Sequence, residues 1–145
     1  MEWYIQKLRE KVWHIPLIIP WVTLIINNNK WEFLLQKRTD SWEWDLPGGI
    51  MELWETFEQT AKRELFEETN LKCTKFELLK VLSWEKYYYT YPNGDKSYGV
   101  IILYKVIEYT WKICENDGES TKLTFYWMNN LPKLCKRAKI ILKEL

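Results

Sequence analysis

The sequence predicts a single domain of mixed α and β structure, in which a mixed β-sheet is flanked by helices. Runs rich in β-branched and aromatic residues outnumber helical segments, and most end at turn-forming residues. Asn93-Gly94, between two such runs, is the strongest hairpin signal in the chain and implies antiparallel strands. No repeat, low-complexity tract or Gly/Ser linker interrupts the sequence, so we expect one domain over residues 1–145.

The sequence of the first third of the chain predicts a short helix or arm, then two strands, then a loop. The first ten residues carry mixed charges and lack the apolar segment of a signal peptide. Residues 21–29 are rich in β-branched residues and stop at an asparagine cluster, which predicts a strand and a turn. Residues 31–38 look like the returning strand, and residues 39–49 look like a loop that ends in Pro47-Gly48-Gly49.

A helix is predicted from Thr56 to about Thr69. Thr56 and Gln59 have the spacing of a capping box, in which the threonine hydroxyl accepts a hydrogen bond from an otherwise unpaired helix N–H. Asn70 suits the position that follows the helix, because asparagine adopts the left-handed backbone conformation more readily than most residues.

The rest of the chain predicts further strands and a final helix. One or two strands are expected within residues 76–91, one over residues 98–107 and one over residues 122–128, with a turn over residues 115–120. Apolar residues with helical spacing predict an amphipathic C-terminal helix. They are Leu134, Ala138, Ile141, Leu142 and Leu145.

The composition excludes several functional classes. A formal net charge of +1 and a pI of about 7.6 give no overall field for binding nucleic acid or an anionic membrane. The three cysteines show no C-x-x-C spacing, which favours reduced thiols and a cytoplasmic location. Aromatic residues make up 17% of the chain, ten of them tryptophan, and this excess raises the expectation of a site that stacks a flat ligand.

Three glutamates of the predicted helix have the spacing of a metal site. Glu64, Glu67 and Glu68 lie at offsets of three and four, which places them within an arc of roughly 100°. Like charges so close repel each other, unless a divalent cation lies among them. Mg²⁺ and Mn²⁺ favour such oxygen ligands. On a solvent-exposed helix face the same spacing is common, so the flanking residues decide between the two interpretations.

The glutamates stand in a longer frame, Gly49-x5-Glu55-x7-Arg63-Glu64-Leu65-x-Glu67-Glu68-x-Asn70-Leu71. With this frame and the preceding Leu46-Pro47-Gly48, the chain closely resembles the Nudix hydrolases. One departure is Asn70, where the family pattern has glycine, and it affects the helix end rather than the charged residues. Trp54 stands at a free position where many members have glycine.

The resemblance implies an α/β/α sandwich and a reaction, in which water cleaves the pyrophosphate bond of a nucleoside diphosphate linked to another group. It implies Mg²⁺ or Mn²⁺ as cofactor, held by Glu64, Glu67, Glu68 and the carbonyl of Gly48. It also implies an ion pair between Arg63 and Glu55 that holds the loop against the helix. For the general base it leaves two alternatives: Glu119 in the predicted turn, with Asp117 in reserve, or Glu67 itself.

The substrate stays open between nucleoside triphosphates, ADP-ribose-like sugars and dinucleotides. Trp44 and Tyr88 are candidates to stack a base, since every base has a flat face, although packing explains each equally well. His14, the only histidine, is expected to be structural. A second function class is a catalytically silent nucleotide-binding module, and a third is a protein-interaction surface built from the tryptophans. A homodimer is compatible with the resemblance, although nothing in the chain requires one.

Overall fold

A computed structural model of the chain describes residues 2–110, 112–114 and 120–145. In chain order the elements are α1 (Glu2–Val12), β1 (Leu17–Ile25), β2 (Phe33–Arg38), β3 (Trp44–Asp45), β4 (Gly48–Ile50), α2 (Phe57–Thr69), β5 (Lys72–Leu82), β6 (Tyr88–Thr90), β7 (Lys96–Thr110), β8 (Ser120–Tyr126) and α3 (Lys136–Leu142). Short 3₁₀ turns cover Glu85–Tyr87 and Met128–Asn130. Helices and strands thus occupy most of the segments that the sequence predicts for them.

The strands form two sheets. In the larger one the order is β4-β1-β7-β5, with β6 pairing to β7. β1 and β7 run parallel, whereas the other pairs are antiparallel, so this sheet is mixed as predicted. β2 returns from β1 but joins a second antiparallel sheet, β3-β2-β8. An isolated bridge between Asn27 and Phe33 links β2 to the segment that follows β1.

Residues 39–49, predicted as a loop, contain the short strand β3 and the first two residues of β4. β3 pairs with β2, and β4 pairs with β1 through Thr23–Gly48, Val22–Gly49 and Trp21–Ile50. Strands of two and three residues are too short to show an alternating pattern, and their pairing depends on partners distant in sequence. β4 is the element that carries the start of the motif into the sheet.

Helices cover both faces of the larger sheet. Val22 and Leu24 of β1 pack with Ala61 and Leu65 of α2 in one buried cluster. Ile25, on the other side of the strand, packs with residues of α3 in a second cluster, where Ala138 and Ile141 are fully buried. Because successive side chains of a strand point to opposite faces, the result is the predicted sandwich of helix, sheet and helix.

The ends of α2 form as the sequence indicates. The hydroxyl of Thr56 accepts from the backbone N–H of Gln59 at 3.2 Å, and the side chain of Gln59 accepts from the N–H of Thr56 at 2.7 Å. Asn70 adopts the left-handed conformation with φ of 60°, and its N–H donates to the carbonyl of Phe66. Each end of α2 therefore has a capping interaction of the kind that the sequence predicts.

The remaining sequence predictions divide into confirmed and untested ones. The Asn93-Gly94 turn joins β6 to β7, with Gly94 at φ of 88°. The amphipathic C-terminal helix is α3, and the N-terminal arm is α1. The turn predicted over residues 115–120 lies almost wholly outside the described residues. No helix in the described part of the chain is long and apolar enough to cross a membrane.

Candidate active site

The guanidinium of Arg63 connects the loop before α2 to the acidic face of the helix. Its Nε donates to Glu55 Oε1 at 2.7 Å and its Nη2 donates to Glu55 Oε2 at 2.9 Å. Nη2 also donates to the carbonyl of Ile50 at 3.1 Å. Nη1 lies 2.6 Å from a carboxylate oxygen of Glu64 and 3.3 Å from one of Glu67. The ion pair predicted between Arg63 and Glu55 is present, and it is bidentate.

These contacts stabilise the charged forms of both partners. The Arg63 guanidinium lowers the pKa of Glu55 to about 2, with the Glu52 N–H and the Thr60 hydroxyl as further donors. Hydrogen bonding to Glu55 raises the pKa of Arg63 above its ordinary value. The side chain of Glu55 is 16% exposed and that of Arg63 is 21% exposed, so water screens this pair only in part.

Glu64 lies against the backbone of β4. A Cβ atom placed on Gly49 would overlap the Glu64 carboxylate, so this carboxylate fills the space that the missing side chain leaves. The Glu64 side chain is 12% exposed. Glycine at position 49 is therefore needed for close approach to the carboxylate rather than for its backbone angles.

Glu68 is a buried acid with a defined set of donors. It is 3% exposed, and its two carboxylate oxygens accept from the backbone N–H of Gly48 at 2.6 Å and from Nε2 of Gln36 at 2.8 Å. Gly48 has φ of 141°, and a Cβ there would overlap the carbonyl oxygen of Val22. The close packing of β4 on β1 thus places the Gly48 N–H where Glu68 can reach it.

Glu67 is the exposed member of the acidic set. Its side chain is 49% exposed and turns towards Arg63. In the part of the chain that the structure describes, no three acidic, histidine or cysteine side chains stand close enough together to form a ready metal cluster. Glu64 and Glu68 nevertheless converge on Gly48-Gly49, and Glu64 and Glu67 both contact one nitrogen of Arg63. This all-oxygen set fits a hard divalent cation.

The candidate bases on the predicted turn lie outside the described residues. Glu119 and Asp117 both fall in the gap between residues 114 and 120, so their distance from the acidic helix stays untested. Among the described candidates, Glu67 is the one whose carboxylate reaches solvent beside Glu64 and Arg63.

A cleft of about 430 Å³ runs along the face of the larger sheet that carries α3. Four cationic side chains line it: Arg38, Lys86, Lys136 and Arg137. Aromatic rings line it as well, from Trp21, Tyr87, Tyr88, Tyr89 and Tyr91. Three carboxylates also line it, those of Asp40, Glu43 and Asp45, so the charge of the lining is mixed and the aromatic rings are the part that suits a flat group.

The two predicted stacking residues lie in different surroundings. Tyr88 lines the cleft, and its ring packs against that of Tyr98 with 4.7 Å between centroids. Trp44 is 8% exposed and contacts Tyr126 edge to face at 5.0 Å within the core. Packing accounts for the placement of Trp44, which offers little ring surface to a ligand.

Two polar side chains near the site, those of Gln36 and Arg137, lie outside the sequence motif and are not predicted by it. Gln36, 2% exposed, donates to Glu68 from the neighbouring sheet. Arg137 binds the buried Asp45 at 2.5 Å and lies over the ring of Trp21 at 4.1 Å. Because side chains alternate along β2, Gln36 points to the same side of the strand as Leu34. Leu34 packs in the buried cluster that contains Ala61 and Leu65 of α2. That alternation is the one sequence signal that marks Gln36 as buried.

Comparison with known proteins agrees with the fold and the motif. The family profile of the NUDIX domain matches residues 19–144. An ADP-ribose pyrophosphatase of Methanocaldococcus jannaschii is 31% identical over 99 residues, which are 68% of this chain and 54% of that relative. The matched part therefore spans about half the length of this relative.

Solved structures share the architecture. The crystal structure of a MutT NUDIX hydrolase from Burkholderia pseudomallei superposes with a TM-score of 0.75 at 22% identity, over 88% of this chain and 98% of that one. The NUDIX domain of Shewanella oneidensis NrtR, complexed with ADP ribose, superposes with a TM-score of 0.68 at 18% identity, over 97% and 93% of the two chains. At these identities the likeness concerns the fold.

The two glycines of β4 predict different effects of an added methyl group. We expect Gly49→Ala to keep the fold and to lose metal binding, because the new Cβ displaces the Glu64 carboxylate, whose side chain can move. Gly48→Ala, in contrast, is expected to destabilise the protein, because its Cβ meets backbone atoms of β1 that cannot move. Urea denaturation and Mn²⁺ titration of both variants check this. Equal loss of stability in the two would contradict it.

The low pKa of Glu55 predicts a loss of stability in acid. Its pKa is about 2 in the folded protein, against an ordinary value of 4.5, so the ion pair contributes fully above pH 4.5. This contribution is lost as the pH falls towards 2, and amounts to on the order of 2–3 kcal/mol. Urea denaturation between pH 7 and pH 2.5 measures it. Glu55→Gln is expected to flatten this pH dependence, whereas Glu77→Gln, at an exposed position of β5, should leave it unchanged.

Proposed function

The chain belongs to the NUDIX family, and on that premise we propose that it is a metal-dependent hydrolase that cleaves the pyrophosphate bond of a nucleoside diphosphate linked to another group. The observation that carries the proposal is the convergence of Glu64 and Glu68 on the Gly48-Gly49 backbone, with Arg63 holding the loop against the helix. A solvated helix face would not require two glycines and a buried acid.

The proposed metal ligands are Glu64, Glu67, Glu68 and the Gly48 carbonyl. A bound Mg²⁺ or Mn²⁺ would neutralise the diphosphate and lower the pKa of a coordinated water. The buried Glu68 is fixed by two hydrogen bonds, whereas the exposed Glu67 has freedom to move towards a ligand or a proton. A fixed and a movable carboxylate suit the tasks of ligand and base, so we assign the base to Glu67, with Glu119 as the alternative.

Arg63 and Glu55 have a supporting role in this proposal. Glu64 and Glu67 repel one another, and the guanidinium between them offsets that repulsion while no cation is bound. Their pairing with Arg63 also keeps both carboxylates turned to one side of α2. Glu55 occupies the other edge of the guanidinium and prevents it from swinging away.

We place the base and sugar of the substrate in the cleft along α3. Tyr88 supplies a stacking surface there, and Lys136 is a cation suited to a phosphate group, whereas Lys86 and Arg38 are paired with Glu144 and Asp40. The matched relative named ADP-ribose pyrophosphatase supports including ADP-ribose among the substrates to be tested. Cys73, Cys114 and Cys135 are free thiols, which supports a cytoplasmic enzyme, and its oligomeric state is to be measured as monomer or homodimer.

Hydrolysis assays with Glu68→Gln test the proposal. Phosphate release from nucleoside triphosphates, ADP-ribose and dinucleoside polyphosphates would be followed with Mg²⁺, with Mn²⁺ and with EDTA. We expect metal-dependent turnover of at least one of these by the unaltered chain. In Glu68→Gln turnover should fall by orders of magnitude, because the amide brings no negative charge to the metal. Its NH₂ group would also face either the Gly48 N–H or the Gln36 side-chain N–H, which are both donors.

Glu58→Gln is the matched control on the same helix. Glu58 is exposed on the first turn of α2 and accepts from the Tyr104 hydroxyl at 3.0 Å, so its substitution should leave turnover unchanged. Near-normal activity of Glu68→Gln with Mg²⁺ would contradict the ligand assignment. No metal-dependent release from any compound would instead favour a nucleotide-binding module without catalysis.

A further inference from the structure

Gln36 is a polar residue buried among apolar side chains. It is 2% exposed and lies on the same side of β2 as Leu34, which packs in the buried cluster with Ala61 and Leu65 of α2. Its amide oxygen has no hydrogen-bond partner among the described residues. A buried polar atom without a partner costs about 1–3 kcal/mol, so an apolar residue of similar size would pack here at lower cost.

The amide nitrogen of Gln36 has a defined target. It donates to Oε1 of Glu68 at 2.8 Å, while the Gly48 N–H donates to Oε2 at 2.6 Å. Each carboxylate oxygen thus receives a donor from a different sheet, one from β2 and one from β4. Two donors from separate elements fix both the position and the rotation of the carboxylate plane. One donor alone would leave the carboxylate free to turn.

We propose that Gln36 is a positioning residue, which orients Glu68 in the wall of the metal site. This inference rests on the proposed function, since it takes Glu68 as a ligand. Hydrogen bonds to metal-binding side chains typically change metal affinity or activity by about 10–100-fold when they are removed. Gln36 acts through Glu68 and has no assigned contact with substrate, so its loss should affect metal binding and turnover more than substrate affinity.

Mn²⁺ binding, followed by electron paramagnetic resonance of the free ion, tests this inference without a substrate. Gln36→Leu and Gln36→Met both remove the donor at similar volume, which keeps the test valid if one of them folds poorly. We expect a loss of roughly 10-fold or more in Mn²⁺ affinity. We also expect a comparable fall in kcat, with KM for an accepted nucleotide changed less than about threefold.

Thr69→Val is the control. Thr69 is a buried polar residue of α2 whose hydroxyl bonds to backbone groups rather than to a proposed metal ligand. Its hydroxyl donates to the carbonyl of Leu65, so the variant should alter stability and leave Mn²⁺ affinity unchanged. Folded Gln36 variants that bind Mn²⁺ as the unaltered chain does would overturn the inference. If the unaltered chain itself binds no Mn²⁺, the proposed function fails instead, so the two failures are distinguishable.

A second inference comes from the backbone angles of the tryptophans. Six residues other than glycine have positive φ in the described part of the chain: Trp13, Trp31, Trp42, Trp54, Asn70 and Trp84. Five of the six are tryptophan, although a bulky residue with positive φ is an outlier in proteins. These five side chains are between 64% and 97% exposed. Burial therefore offers no compensation for the backbone strain.

The turns at these tryptophans have the features of glycine sites. Trp13 follows α1, with φ of 53°, and its N–H donates to the carbonyl of Arg9, which is the usual position of the glycine that ends a helix. Trp84 has φ of 148° and ψ of 168°, a region that essentially only glycine occupies. Trp54 has φ of 72° in the loop between β4 and α2, and its side chain is 97% exposed.

We infer that the protein carries glycine at these five positions in the cell that makes it. UGA is read as tryptophan in some genetic codes and as glycine in others, so a single reassigned triplet at these positions would account for all five. With glycine at these positions, the excess of exposed tryptophan no longer indicates an interaction surface. Trp44 stands apart, because it is a buried strand residue with a ring contact in the core.

Mass spectrometry of the protein isolated from its own cells tests this inference. The tryptic peptide of residues 39–62 contains Trp42, Trp44 and Trp54. We expect masses that fit glycine at positions 42 and 54 and tryptophan at position 44, so the peptide carries its own control. Tryptophan at all three positions would overturn the inference.

The stability of a recombinant variant gives an independent measure. The variant changes five residues to glycine: Trp13, Trp31, Trp42, Trp54 and Trp84. Relief of strain at five positions should raise Tm by about 5 °C or more. Trp44→Gly should lower Tm, since it leaves a cavity in the core. A fivefold variant that melts at or below the temperature of the unaltered chain would contradict the assignment of these positions to glycine.

Discussion

The bidentate ion pair between Arg63 and Glu55 is the contact on which the rest of the site depends. It joins the loop after β4 to the second turn of α2, and the same guanidinium reaches Ile50 at the end of β4. The remaining nitrogen lies between two carboxylates of the helix. One side chain therefore fixes the loop and offsets the repulsion within the acidic face. A lysine could not replace it, because a single ammonium lacks the fork that binds Glu55 with two parallel bonds.

The depth of Glu68 is set by the packing of the sheets. β4 lies so close to β1 that glycine is required at position 48, and this closeness presents the Gly48 N–H to the carboxylate. β2, from the other sheet, supplies Gln36 on the opposite oxygen. A buried carboxylate is unfavourable unless donors replace the lost water. Here the donors come from two sheets, so the hydrophobic layers that position those sheets also determine the geometry of the acid.

The two faces of the larger sheet carry different chemistry. The face of α2 holds the acidic set and Arg63, while the face of α3 holds a cleft lined by tyrosines and cations. Arg137 is fixed in that cleft by the buried Asp45 and by the ring of Trp21. The sheet lies between the two regions, so a substrate with its flat group in the cleft and its diphosphate at the acids has to pass around an edge of the sheet, where β4 is the edge strand.

The sequence by itself determined the local features of this protein. Helix α2, both of its ends, the common face of Glu64, Glu67 and Glu68, and the turn at Asn93-Gly94 all depend on residues a few positions apart, and spacing shows these directly. The pairing of Arg63 with Glu55, eight residues away, followed from the resemblance that the motif carries.

Only the tertiary structure decided the rest. It placed β2 in a second sheet, formed β3 and β4 within an expected loop, brought Gln36 to Glu68 and buried Trp44. It also revealed the backbone angles at the exposed tryptophans. These features depend on contacts between segments distant in the chain, or on backbone conformations that such contacts impose. The physical reason is that packing selects among local conformations which a single sequence leaves nearly equal in energy.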